Sequence, residues 1–491
     1  MKRFRDKIIS FINSEKEAPF LLAFICGFTP MIFHYANNYW SVNSWLHLGY
    51  FTLSFLGTSF LICLSIYYSF NNTIAIKKHV SHALLVLVLL FAFLFLWYTF
   101  FMNFNRGMAL FCVVSVLGYF LWRNPRKNYK KIVVFFFAFS SLSFFRTVIH
   151  MYEDIKPDYW LRQRDDIENV QFKSFPNVYM IQPDGYVAQS TMEKSPYNYQ
   201  SDLFDWLRNN EFKVYDNFRS NYPASLTSNA SLFNMKHHKF ADMIFPEIEM
   251  ANARESITTS NAVANIFKNN GYETYFIAED EYFQQNKKQE VFDYYNIAID
   301  DFPLNSKGDD TVKDVLSDLK LVMHDSDNPK FFFVEKLMPH HVGFYKTDES
   351  VVQERDRYIE RIKEVNLWLK TTIKYITEHD ENSIIIILAD HGGWVGLKSF
   401  NHLFSARESE LITSTFSNIS AIKWNGNLIK NYDTALRTNV NIFRVLFSAL
   451  SENPTYLESL EDDSSYNLRL NSLGIKRVKK LIDGEGRIFN K

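Results

Sequence analysis

Five apolar stretches crowd the start of the chain, at 18–35, 46–68, 83–102, 108–122 and 132–149. A hydrocarbon layer is spanned by about 17–25 apolar residues, and in lipid such a segment must close its own backbone hydrogen bonds as a helix. This one feature excludes a wholly soluble chain and commits residues 1–150 to a helical membrane bundle. The first stretch carries Pro30 and His34, and the fourth is short. The first has no Ala-x-Ala-like cleavage site and further spans follow it, so it reads as an anchor and not as a removable leader.

Loop charge orients the bundle. Lys2, Arg3, Arg5 and Lys7 precede the first stretch, Lys77 and Lys78 follow the second, and Arg123 to Lys131 form a basic block before the fifth. The two intervening loops contain only Arg106 as a basic residue. Basic loops stay in the cytoplasm. Five crossings then place everything after Ile149 on the outer face of the membrane. The formal net charge of -1 argues against a nucleic-acid partner. Cys26, Cys63 and Cys112 all fall in the membrane third, so the remainder has neither disulfide nor thiol chemistry.

Residues 151–176 are charged and interrupted by Pro157 and Pro176, which reads as a juxtamembrane connector. From 177 to 491 the pattern alternates between strands and helices. Strands are expected at 178–182, 274–278, 330–334 and 384–388, with another strand region at 412–424. Helices are expected at 201–210, 262–270, 353–378 and 439–450. Alternation of this kind predicts an α/β domain with a mainly parallel sheet covered by helices on both faces.

In such sheets ligands bind at the carboxyl ends of the strands, and four such ends here carry reactive groups. Asp184 ends the first strand. Ser220 to Ser231 is dense in hydroxyls and leads into a helix whose N-terminal position falls to Ser225 or Thr227, where free amides favour an anion. His340 and His341 follow the strand at 330–334, and Asp390 and His391 follow the strand at 384–388, with His402 further on. Carboxylate plus imidazole suits zinc or manganese better than calcium. A divalent ion lowers the pKa of a bound hydroxyl and neutralises phosphoryl charge. His237 and His238 read as surface residues.

These motifs resemble the sulfatase-like branch of the alkaline phosphatase superfamily. With the spans in front, the chain resembles bacterial phosphoethanolamine transferases and lipoteichoic-acid synthases, which move phosphoglycerol. The resemblance rests on Tyr179-Met-Ile-Gln-Pro-Asp184-Gly, the hydroxyl segment, Met338-Pro-His340-His and Ala389-Asp390-His391-Gly. It implies that Asp184, Asp390 and His391 are metal ligands. It also implies that Ser225 is the metal-activated nucleophile, filling a threonine position in a Thr-x-x-Ser spacing, with Thr227 as the alternative. His340 corresponds to a phosphate-contacting histidine, and His402 to one that binds substrate or a second metal. The Cys/Ser-x-Pro-x-Arg setting of sulfatases is absent from Ser225-Leu-Thr-Ser-Asn229.

The implied reaction moves a phospholipid headgroup, phosphoethanolamine or phosphoglycerol, through a covalent hydroxyl-linked intermediate to a cell-envelope glycan or glycolipid. The alternatives are a membrane-tethered phosphodiesterase or phosphatase, and a catalytically inactive envelope-assembly scaffold.

Overall fold

The computed structural model describes residues 2–42, 44–155, 159–240, 252–285, 288–299, 311–341, 348–398, 402–426, 432–470 and 476–489. The chain divides into two compact units, Met1–Ile155 and Lys156–Lys491.

In the first unit five helices are long and apolar enough to cross a membrane: Pro19–Asn37, Trp45–Asn72, Lys77–Phe100, Phe104–Leu121 and Pro125–Tyr152. The second is wound as a π-helix over Thr52–Gly57. It packs closely on Gly27, where a Cβ would meet Leu56 Cα at 2.8 Å. At the basic end, Glu17 accepts hydrogen bonds from Arg126 Nε (2.7 Å) and the Tyr129 hydroxyl (2.9 Å). Buried Lys130 donates to the carbonyls of Phe11 and Ser14, tying down the end of the short helix Lys2–Asn13.

The second unit is built on a seven-stranded sheet. Its strands in chain order are β1 Val178–Pro183, β2 Lys213–Val214, β3 Glu273–Ile277, β4 Tyr294–Tyr295, β5 Lys330–Lys336, β6 Ile384–Leu388 and β7 Ser420–Lys423. Across the sheet they run β2-β7-β6-β1-β5-β3-β4. The pairs β1–β5, β1–β6, β3–β5 and β3–β4 are parallel, whereas β7 runs antiparallel to both β6 and β2. A separate hairpin of β8 Ser465–Leu470 and β9 Lys476–Ile482 follows.

Both faces of the central strands are buried, which is why they read as unbroken apolar runs. Met180, Phe331, Phe333, Ile384 and Ile386 face Phe233, Phe267 and Phe443. On the other side Tyr179, Ile181, Phe332, Ile385 and Ile387 face Ile362, Val365 and Leu369 of the long helix Asp348–His379. Each buried aromatic or aliphatic side chain contributes about 1.5–3 kcal/mol relative to exposure. The mainly parallel α/β expectation therefore holds, with antiparallel edge strands added.

Three local expectations change. Residues 412–424 divide into a helix, Ser409–Phe416, and strand β7, because a short apolar run does not by itself distinguish the two periods. Ile167, Val170 and Phe172, in the stretch read as a connector, are buried in the core of the second unit.

His237 and His238 are fully buried, not at the surface. His237 Nε2 donates to the Asp462 carbonyl (2.6 Å), and its Nδ1 lies 3.1 Å from the Tyr222 hydroxyl. Burial, then the nearby Lys239, lowers the His237 pKa to about 4. The unfolded chain therefore binds a proton more readily between about pH 4 and 6.5, and this histidine weakens the fold as pH falls through that window. The expected acid destabilisation is on the order of 3 kcal/mol. Stability of the full chain measured from pH 7 to 4 should fall less steeply in His237→Gln.

Candidate active site at the carboxyl edge of the sheet

Register builds the site. Ile181 on β1 pairs with Ile387 on β6, so Asp184 and Asp390, each three residues further on, emerge level with one another. Gly185 turns the chain at φ +68°, and its amide donates to Asp390 Oδ1 (3.0 Å). Gly392 has no room for a side chain, since a Cβ there would lie 2.0 Å from the Ser414 carbonyl oxygen. Asn439 Nδ2 donates to the carbonyls of Ala389 and Asp390, both at 3.0 Å, and fixes the loop from behind.

Asp184, Asp390 and His391 are 3, 1 and 2% exposed. Their ligand atoms all lie within 4.8 Å of one another. His391 Nε2 stands 3.5 Å from Asp184 Oδ1 and 3.4 Å from Asp390 Oδ2. Both of those buried carboxylate oxygens have no hydrogen-bond partner. His391 Nδ1 donates to the Gly392 carbonyl (2.7 Å), which leaves the Nε2 lone pair facing the carboxylates.

Ligands at about 2.1 Å around a tetrahedral ion are separated by about 3.4 Å. The donor set and its unsatisfied oxygens thus fit a divalent metal. Burial raises Asp390 to about 6 despite the pull of His391. For Asp184 burial acts in the same direction, but His340 and His391 outweigh it and hold the carboxyl below its usual range.

The helix Ser225–Asn234 begins at this edge. Its N-cap is Ala224, which offers no side-chain cap, so the first-turn amides remain available to an anion. Ser225 lies beside the Asp390 carboxyl and lowers its proton affinity. Thr227 Oγ1 instead turns back to the Ala224 carbonyl (3.1 Å), and Ser228 Oγ donates to the Asp390 carbonyl oxygen (2.6 Å). Of the two candidate hydroxyls, Ser225 is the one beside the carboxylate of the cluster.

His340 has φ +56°, donates its backbone amide to the Asp184 carbonyl (2.9 Å), and bonds Asp184 Oδ2 through Nδ1. His341 stacks on Trp394 with ring centroids 4.5 Å apart, and burial followed by the neighbouring His340 lowers it to about 4. His402 opens the helix His402–Ser405, and its Nδ1 accepts the Lys398 amide (3.2 Å). Among the described residues it does not join the three-ligand group.

Several contributors carried no sequence signal that was read. Trp394 stacks on His391 (5.3 Å) and His341, while its indole N–H donates to Pro223 just ahead of the serine helix (3.1 Å). Tyr358, within Asp348–His379, donates to the Gly185 carbonyl (2.8 Å) and accepts the Val187 amide (3.1 Å). Tyr358→Phe leaves both buried groups unpaired and should cost about 1–3 kcal/mol, read by thermal unfolding of the full chain in detergent.

Glu335 and Asp280 extend the acidic edge. Burial, reinforced by neighbouring carboxylates, raises Glu335 well above its usual range; burial raises Asp280 to about 7.

Residues 181–443, more than half of the chain, match the family model described as Sulfatase. No curated protein matches the chain. Among solved structures, the C-terminal periplasmic domain of EcEptC from Escherichia coli, in complex with zinc, is similar at 13% identity and a TM-score of 0.41, covering 58% of this chain and 85% of that one. The integral membrane lipooligosaccharide phosphoethanolamine transferase A (EptA) from Neisseria meningitidis is similar at 12% identity and a TM-score of 0.41, covering 89% and 96%. A 2-O GAG sulfatase, BT1596, is similar at 13% identity and a TM-score of 0.41, covering 64% and 84%.

Proposed function

This chain belongs to the sulfatase family, and from that premise we propose that it is a membrane-anchored phosphotransferase acting on phospholipid headgroups at the outer face of the inner membrane. The observation that carries the reading is the place of Ser225 at the open N-terminus of its helix, beside the Asp390 carboxyl of the three-ligand group. Asp184, Asp390, His391 and the Ser225 hydroxyl would hold a zinc or manganese ion. When bound, that ion supplies positive charge to a phosphoryl oxygen and to the serine oxygen.

Ser225 Oγ attacks the phosphorus of the donor lipid in line. The Oγ–P bond forms as the bond from phosphorus to diacylglycerol breaks, and the serine proton ends on the departing glycerol oxygen. The free amides of the first helical turn face the phosphate charge, and His340, held by Asp184, steadies a phosphoryl oxygen. A hydroxyl of an envelope glycan or glycolipid then attacks the same phosphorus; the Oγ–P bond breaks, and the acceptor's proton passes by way of His340 or His402 to Ser225 Oγ. Ser225-Leu-Thr-Ser-Asn229 lacks the Pro and Arg that accompany formylglycine formation, which argues against sulfate-ester hydrolysis.

The five spans fit this scheme because the donor is itself a membrane lipid. Diacylglycerol release from phospholipid vesicles, with and without a lipid-linked glycan, tests the proposal. Release that depends on the glycan supports transfer. Equal release in its absence, with free headgroup phosphate in solution, assigns a phosphodiesterase instead.

A further inference from the structure

We propose that the basic end of the membrane unit holds one anionic phospholipid of the cytoplasmic leaflet. Its acyl chain lies in a slot between the second, third and fourth spans, and its phosphate sits among Lys77, Lys78 and Arg123. Loop charge makes this the cytoplasmic end, whereas the three-ligand cluster lies beyond the fifth span in sequence. The lipid is therefore a resident ligand and not the donor, and the inference is independent of the phosphotransfer reading.

The slot has a volume of about 380 Å³, within the range of about 300–1,000 Å³ typical of ligand sites. Its walls are Ile66 and Phe70 of the second span and Val86 and Leu87 of the third, and Trp122 closes one side. Two imidazoles interrupt this apolar lining. The His82 ring centroid lies 4.5 Å from that of Trp122 and 5.8 Å from that of His79. His82 Nδ1 is buried and has no hydrogen-bond partner. Leaving a buried ring nitrogen unpaired costs free energy, and a lipid ester or phosphate oxygen satisfies its N–H.

The slot is graded as a phospholipid is. Lys77 and Lys78 open the third span and Arg123 follows Trp122, so cations stand at the mouth. His82 lies in the first turn of the helix Val80–Phe100, and Val86 lies one turn further, about 5.4 Å deeper. On the second span Phe70 is near the same end and Ile66 is one turn deeper. Phosphate, ester and acyl chain follow this order of cation, imidazole and hydrocarbon. Trp122 takes the level at which tryptophans concentrate at membrane–water interfaces.

Charge selects the headgroup. Glu15 and Glu17, acids of this end, are bonded to Arg126. Among the described residues no acid pairs with Lys77, Lys78 or Arg123, all three exposed. Each such cation near an anionic lipid surface strengthens binding by about fivefold. A zwitterionic phosphatidylethanolamine brings its own ammonium to the same cations and forfeits much of that gain.

The test uses the full chain in detergent micelles, with phosphatidylglycerol or phosphatidylethanolamine brominated on the acyl chains as the quencher. Trp122 emission is taken as the difference between wild type and Trp122→Phe. It should be half-quenched at a phosphatidylglycerol mole fraction about tenfold below that needed with phosphatidylethanolamine. A Lys77→Gln, Lys78→Gln, Arg123→Gln triple variant should bring the two lipids to within about twofold. Ala83→Phe, which fills the slot, should weaken quenching by both. The three glutamines replace exposed side chains, which keeps the test informative if the change at Ala83 disturbs the bundle. Equal quenching by the two lipids in wild type, or a preference kept in the triple variant, overturns the site. So does Trp122 emission that responds no more steeply than that of the remaining tryptophans.

Discussion

Ser225→Ala is expected to lower diacylglycerol release by at least about 10³-fold, because a nucleophile cannot be replaced by water held without covalent attachment. Thr227→Ala is expected to keep most of the activity. The difference follows from local geometry. The two side chains lie within one helical turn, yet Ser225 lies beside the Asp390 carboxyl whereas Thr227 donates its hydroxyl to the Ala224 carbonyl. Ser225→Ala removes one oxygen from an N-terminal helical position and leaves the core untouched, so the thermal midpoint should change little. Loss of activity in Thr227→Ala with retention in Ser225→Ala would reverse the assignment.

The second large effect concerns the metal. Stripping the protein with a chelator should destabilise it, since a ligand at about 1,000 times its Kd contributes about 4 kcal/mol to the folded state. His391→Ala should abolish that metal-dependent stabilisation, and elemental analysis should fall from about one ion per chain to near zero. The physical reason is the orphaned pair Asp184 Oδ1 and Asp390 Oδ2, which His391 Nε2 faces at 3.5 and 3.4 Å. Without an ion, two buried acids repel one another; with it, their charge becomes ligation. A His391→Ala protein that still binds metal with wild-type stability would remove this residue from the ligand set.

The parts of the architecture legible in the sequence were those written as long uniform runs. The five spans are continuous apolar segments, and β6 is five aliphatic residues followed, after Ala389, by Asp390 and His391. Chemistry at the ends of such runs is visible because the strand itself points to it. Convergence is a different matter, since it depends on strand register. Asp184 and Asp390 are brought level by the Ile181–Ile387 pairing, which periodicity does not encode.

The acids at Glu335 and Asp280 carry no such signal because each sits in a short charged stretch after an apolar run, Glu335-Lys336 and Glu279-Asp280-Glu281, where a solvated strand end is the ordinary expectation. His237 and His238 misled for the opposite reason. Their polar neighbours in sequence suggested solvent, whereas Tyr222 and the Asp462 carbonyl, far along the chain, receive His237 in the interior. Trp394 and Tyr358 act by stacking and by bonding a backbone turn, roles that no spacing rule records.

The measurement that bears most directly on the central claim is the intact mass of the full chain after incubation with bacterial phospholipids, followed by peptide mapping. The account predicts an added headgroup phosphate on the peptide containing Ser225, absent from Ser225→Ala and from metal-stripped protein. An unmodified chain that nonetheless moves headgroup to the acceptor, or an adduct that persists in Ser225→Ala and disappears in Thr227→Ala, would contradict it.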